Sequence, residues 1–249
     1  MEEFKLFGAL VNAVLVVAGS LVGLGIGRLM GAKKNEETSG KDKLSDAIFS
    51  VLALCVLAIG VQGAVGVETP NDMLAVILSL VLGATVGHLC RLDDGINWLG
   101  AWVERTTKSR GGSVAQGFVS ASLLFCVGSM AVVGSLNSGL VGDHTMIYAK
   151  SIIDMFSALV LSISLGLGVA LSAVAVLVYQ GSITLLAQWL SPVLSTDVVR
   201  GMSVAGSILI VGLSLNMLGL TKLKITNYLP AVFVPIAVVP LVNWVANLL

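Results

Sequence analysis

Polar and charged positions interrupt this chain at intervals of roughly twenty residues, and the stretches between them are almost wholly apolar. A helix needs about 20 mostly apolar residues to cross roughly 30 Å of hydrocarbon. The segments that qualify are about 6–30, 45–66, 72–90, 115–137, 146–166, 168–190, 201–221 and 227–247. The run from Ser157 to Trp189 carries no charge and is too long, with its flanks, for one span. It divides at Gly166-Leu167-Gly168. Eight spans are expected, with seven as the alternative. Helices follow rather than strands, because every backbone polar group in lipid must be paired within its own segment. The predicted fold is an all-α polytopic membrane protein.

Composition agrees, since 56% of the 249 residues are hydrophobic and 11% are charged, against about 25% charged in soluble proteins. The net charge is zero, so nothing points to nucleic acid, and the expected partner is the lipid bilayer. The first apolar segment is too long for the h-region of a cleavable signal peptide, so it reads as the first span.

Charge placement gives an orientation. Arg28, Lys33, Lys34, Lys41 and Lys43 cluster at 28–43, and Arg91, Arg105, Lys108 and Arg110 at 91–113, while the turns near Glu68 and Asp143 have no basic residue. By the excess of Lys and Arg in cytoplasmic loops, 31–43 and 91–113 lie inside the cell and the other two turns outside. With eight spans, Lys222 and Lys224 also fall inside. The expected location is a bacterial cytoplasmic membrane.

Residues 1–249 read as one integral membrane domain whose halves are joined by 91–113. There Ile96, Leu99, Trp102 and Val103 recur at helical spacing beside Trp98, which predicts an amphipathic helix on the inner leaflet. Weak repetition is also visible. "LCVLAIGVQGAVG" from Leu54 aligns with "FCVGSMAVVGSLN" from Phe125, placing Cys55 over Cys126 and Gly63 over Gly134. A fainter third copy starts at Ile210. A helix pair occurring three times is the pattern of repeat-built transporters.

Gly19, Gly23, Gly27 and Gly31 lie four apart and form one smooth helix face for close packing, within the subunit or at a dimer seam. The stretch "GSMAVVGSLNSGLVGDHTMIYAKSIID" from Gly128 is different, because its glycines are mixed with polar side chains. Gly128, Gly134 and Gly139 weaken a helix interior by about 1 kcal/mol each relative to alanine. They predict a discontinuous helix, unwound near its outer end and lining a cavity.

Lys150 and Asp154 follow at i,i+4 on one helix face. Asp154, eight residues into a span starting near Met146, lies about 12 Å below the surface. A charge there costs at least roughly 2.5–3.5 kcal/mol, so it must face a partner or a cavity. The candidate substrate- or ion-binding set is Asp154, Lys150, Ser129, Asn137, Asn216, Gln62 and Gln180, with Asn12 as another intramembrane polar group and a helix break near Tyr179 to Ser182.

Cys55, Cys90 and Cys126 are odd in number and have no metal-ligand spacing. His88 and His144 stand alone. No Ser/His/Asp, Cys/His or H-E-x-x-H constellation is present, so no enzyme, cofactor or metal is expected.

The stretches Leu123 to Ala187 and Val204 to Ala231, with motif positions including Cys126, Gly128, Lys150, Asp154, Gln180 and Asn216, resemble the bacterial YqgA/YdfK-like membrane proteins, domain-of-unknown-function family 554. The resemblance implies a bacterial membrane protein and supplies no substrate. The first expectation is a small secondary transporter of an unknown solute or ion, proton- or cation-coupled. The alternatives are a channel assembled as a homo-oligomer through the glycine faces and a non-transporting structural or regulatory membrane protein.

Overall fold

The computed structural model describes residues 5–32, 38–95, 98 and 114–246, the side chains of 30–32, 38–46 and 48 excepted. Among the described residues all regular structure is helical. The elements are α1 (Phe7–Ala32), α2 (Thr38–Ala64), α3 (Pro70–Leu89), α4 (Val114–Cys126), α5 (Ser129–Val141), α6 (Thr145–Leu165) and α7 (Leu167–Leu185). The single turn α8 (Ala187–Leu190), α9 (Thr196–Met217), α10 (Ile225–Tyr228), a 3-10 turn Leu229–Val232 and α11 (Pro235–Ala246) complete them.

Each expected apolar segment holds helix, but not as eight equal spans. Helices α1, α3, α6, α7 and α9 are long and apolar enough to cross a membrane alone. Two further segments are bent pairs: α4 meets α5 at 63°, and Ile225–Val232 meets α11 at 53°. Helix α2 contributes a shorter apolar stretch, Phe49–Ala64. Among the described residues there are therefore five to seven candidate spans. It is an all-α, multi-pass membrane protein.

Local chemistry sets the boundaries. Thr69 and Asp72 form a reciprocal capping box with Pro70 in the first turn of α3, which satisfies two of the free amides at the helix start. Ser195 caps α9 by accepting from the Val198 amide. Hydrogen bonds from the hydroxyl and amide of Thr145 hold the Asp143 carboxyl below its usual range in the turn before α6. The charge-free run breaks at Gly166, with φ +68° and ψ −149°, inside the tripeptide expected to divide it.

Small residues then bring the helices together. A Cβ on Gly19 or Gly23 of α1 would lie 2.1 Å from the carbonyl oxygen of Met155 or Leu159 on α6, and one on Gly27 would lie 3.2 Å from that of Ile163. The glycine face of α1 is thus occupied within the subunit; Gly31 lies outside the described side chains. Gly60 and Gly63 do the same for α2 against Val211 and Ser207 of α9, as do Gly117 and Gly168 for α4 against α7. Close van der Waals contact of this kind substitutes for the hydrophobic drive that lipid removes. Helix α9 is the centre of the molecule: 72% of its apolar window is buried, against 28% for α3, whose Ile77, Leu78, Val81 and Leu82 face outward.

Ion pairs mark the two ends. Arg200 at the start of α9 joins Glu68 in the α2–α3 turn, while Lys224 joins Asp93 at 3.5 Å at the opposite end. Trp98 is exposed, but 96–97 and 99–113, with the expected inner-leaflet helix, lie outside the described residues, as do 33–37. The proposed first two repeats differ in shape, because the position of Gly128 is taken by Leu57 in unbroken α2.

Candidate functional site

The break between α4 and α5 is built by a few residues. Helix α4 ends at Cys126, and Gly128 adopts φ +127° and ψ +148°, a region reserved in practice for glycine. Nothing lies within 4 Å of where its Cβ would be. Val127 presses on α9, where a Cβ on Gly206 would lie 2.4 Å from its Cγ1. No side chain caps the first turn of α5, so its free amides present the positive end of the helix dipole.

The expectation for Gly134 and Gly139 is corrected. Both lie inside α5, which is continuous to a left-handed Gly142 at φ +72°. They serve contact: a Cβ on Gly139 would lie 2.1 Å from the Thr184 carbonyl oxygen on α7, and one on Gly134 would lie 3.0 Å from Ile147 Cδ1. The unwinding accordingly falls at the start of α5, and the helix stays intact to Val141. The break expected near Tyr179 to Ser182 is absent too, since α7 runs unbroken to Leu185.

Behind the break, three helices pool their buried polar groups. Asn12 lies seven residues, two turns, before Gly19 on the same face of α1, so the glycine seam holds it against α6. Lys150 donates a hydrogen bond to Asp154 Oδ2 as a buried i,i+4 ion pair. Asn12 Nδ2 donates to the same oxygen at 3.0 Å and to Gln180 Oε1 on α7 at 3.1 Å. Asn12 and Gln180 are 0% exposed, Asp154 5% and Lys150 6%. Asn12 Oδ1 and Gln180 Nε2 have no hydrogen-bond partner, one spare acceptor and one spare donor where unpaired polar atoms are costly. Cys126, the last residue before the break, lies within electrostatic reach of both Lys150 and Asp154.

In front of the break is a cavity of about 630 Å³ walled by α2, α5 and α9. Gln62, Gly128 and Ser129 line it, with Thr196, Arg200, Ser203 and Ser207 along α9 and an apolar wall of Val133, Leu136, Leu194, Val199 and Val204. The Arg200 guanidinium contacts Glu68 at 3.2 Å, Asp72 at 3.3 Å and Asp197 at 3.3 Å. Three carboxylates thus surround one cation.

The expected residues fall into three groups. Lys150, Asp154 and Gln180 form the buried cluster with Asn12, while Gln62 and Ser129 line the cavity. Asn216 belongs to neither: its amide accepts from the Leu223 N–H at 2.9 Å and donates to the Leu223 carbonyl at 2.6 Å, fastening the turn after α9. Asn137 is half-buried on α5 and contributes no hydrogen bond to the cluster. His144 contacts the Ser138 hydroxyl at 2.6 Å and packs beside Phe7 and Tyr148. No group of three metal-ligating side chains occurs among the described residues. Sequence reasoning missed Arg200 and its acids, although Arg200 is the sole cation between Lys150 and Lys222. It also missed the second bend, signalled by Pro230, Pro235 and Pro240 at five-residue intervals.

Residues 7–240 match the family described as "Protein of unknown function (DUF554)". The chain is 31% identical over 236 residues to the "Uncharacterized membrane protein YdfK" of Bacillus subtilis (strain 168), covering 94% of this chain and 96% of that one. It is 26% identical over 229 residues to the "Uncharacterized protein YqgA" of Escherichia coli (strain K12), covering 90% and 92%. No solved structure matches it.

Proposed function

We propose that this chain, which belongs to the DUF554 family, is a secondary transporter of a small solute or ion across the bacterial cytoplasmic membrane. The observation that carries the reading is the buried Lys150–Asp154 pair, joined by Asn12 to Gln180 and lying next to a broken span. Burying two charges costs several kcal/mol each, on the order of what their mutual attraction returns, so helix stability alone gives little reason to keep them. Intramembrane ionisable groups commonly belong to ion or solute pathways, and broken helices supply uncapped ends to line them.

In this reading Asp154 binds and releases a proton or cation. While it is ionised, Lys150 neutralises it and the cluster is closed. Once it is neutralised, the Lys150 ammonium loses its counter-ion and is available to a carboxylate. Val127, next to Gly128, presses on α9, so parting of α9 from the break is the step that would join the cavity to the cluster. The α1 glycine face is filled by α6, which removes the feature that favoured a channel assembled through it.

The test is flux in proteoliposomes containing the full chain, screened with small solutes under a proton or sodium gradient. Asp154→Asn should insert normally and lose gradient-driven uptake at least tenfold. If flux of an accepted solute is indifferent to that change, the coupling role is wrong.

A further inference from the structure

We infer that the cavity between α2, α5 and α9 binds a small zwitterion, a molecule with one ammonium and one carboxylate on an apolar body. The inference names the solute class for the transporter reading and rests on that reading for its purpose. Its chemistry comes from the walls.

The volume of about 630 Å³ is within the roughly 300–1,000 Å³ of small-molecule sites. One end is acidic: Arg200 is outnumbered three to one by Glu68, Asp72 and Asp197. Glu68 lines the cavity with its side chain 66% exposed. A carboxylate can accept several hydrogen bonds, so it retains capacity for an ammonium. The other end is electropositive. There the uncapped amides of α5 begin beside Gly128, which has open space around it, and between the two ends Ser203 has a hydroxyl with no partner. Helix starts with free amides hold carboxylates well.

A simple anion would meet Glu68 with two further acids behind Arg200 at one end, and a simple cation the positive helix start at the other. A zwitterion satisfies both. Arg200 and Gly206, on which Val127 at the break presses, are six residues apart on α9, about 9 Å along its axis. An amine and a carboxylate a few ångströms apart, each adding a hydrogen bond of about 2.9 Å, span that distance. Between the ends, Val133, Leu136 and Val204 offer an apolar surface to the body of the molecule.

The test uses purified full-length protein and three probes matched in shape: L-leucine, N-acetyl-L-leucine, which lacks the ammonium, and L-leucinamide, which lacks the carboxylate. A ligand that binds only the folded state raises the melting temperature by mass action. L-leucine should raise it, with the other two binding at least tenfold more weakly. Val133→Trp, which fills the cavity, should abolish the effect. Glu68→Gln, at an exposed position, should weaken L-leucine at least tenfold and leave N-acetyl-L-leucine unchanged. Equal stabilisation by N-acetyl-L-leucine or by L-leucinamide overturns the proposal in favour of an anion or a cation site, and so does stabilisation by none of the three. If none binds while another solute shows Asp154-dependent flux, the zwitterion falls and the transporter stands. If L-leucine binds and its flux in proteoliposomes is absent or indifferent to Asp154→Asn, the site stands and the coupled-transporter reading falls.

Discussion

Asn12 is the residue on which the buried cluster turns, because one side-chain amide donates to both Asp154 and Gln180. Asn12→Leu leaves the Gln180 carbonyl oxygen without its donor, a loss of about 1–3 kcal/mol for a buried group. Removing the acid is worse: Asp154→Ala strands the Lys150 ammonium and should cost about 3–5 kcal/mol, whereas Lys150→Met with Asp154→Leu should recover most of that. Thermal melts of the three variants beside the unaltered protein in one detergent check both statements, and a double variant no more stable than Asp154→Ala contradicts the second. The Lys150–Asp154 contact was legible because i,i+4 spacing places both on one helix face. Its partners were legible only as isolated polar residues. Asn12 lies 142 positions from Asp154 and 168 from Gln180, and no local pattern encodes a meeting over that distance.

Among the elements, the glycines of α5 separate two roles that look alike in sequence. Gly128 is needed for its positive φ, and Gly139 for the approach of α7. Gly128→Ala should therefore strain the break by about 1–3 kcal/mol and reduce flux more than it reduces folded yield. Gly139→Leu should instead lower folded yield itself, since its Cβ alone would lie 2.1 Å from a carbonyl oxygen. Size-exclusion profiles alongside flux measurements separate the two outcomes, and equal loss of fold in both variants contradicts the assignment. Sequence alone placed the α6–α7 division within Gly166 to Gly168, because a charge-free run of that length had to turn. It placed the unwinding in α5 too broadly, since composition reports glycine content but not which glycine a neighbouring helix will fill. The bend before α11 escaped notice because hydropathy continues through it while Pro235 interrupts the backbone.

At the scale of the molecule, one end holds the Lys224–Asp93 pair and the other the Arg200–Glu68 pair, and the basic loops lead us to expect the first end inside the cell. In a cysteine-free background, a cysteine at Glu68 should react with impermeant maleimide added outside intact cells, and one at Lys222 only after permeabilisation. The reverse pattern inverts the topology. Arg200 ties α9 to the α2–α3 turn at the Glu68 end, so the same experiment fixes which face the cavity serves.

The seam between α1 and α6 has a mechanical consequence. Backbones in direct contact at Gly19 and Gly23 cannot slip past one another by half a turn without driving side chains into carbonyl oxygens. Helices α1 and α6 must therefore travel as one rigid strut carrying Asn12, Lys150 and Asp154 together. Relative displacement is left to the walls of the cavity, where α5 and α9 meet through side chains such as Val132, Leu136, Val198 and Val199 rather than through glycine-seated backbones. Paired spin labels on α1 and α6 should keep their separation when solute is added, while labels on α5 and α9 should not. The cluster then acts as the fixed jaw of the machine, and the α2–α9 wall, seated together at Gly60 and Gly63, as the moving one.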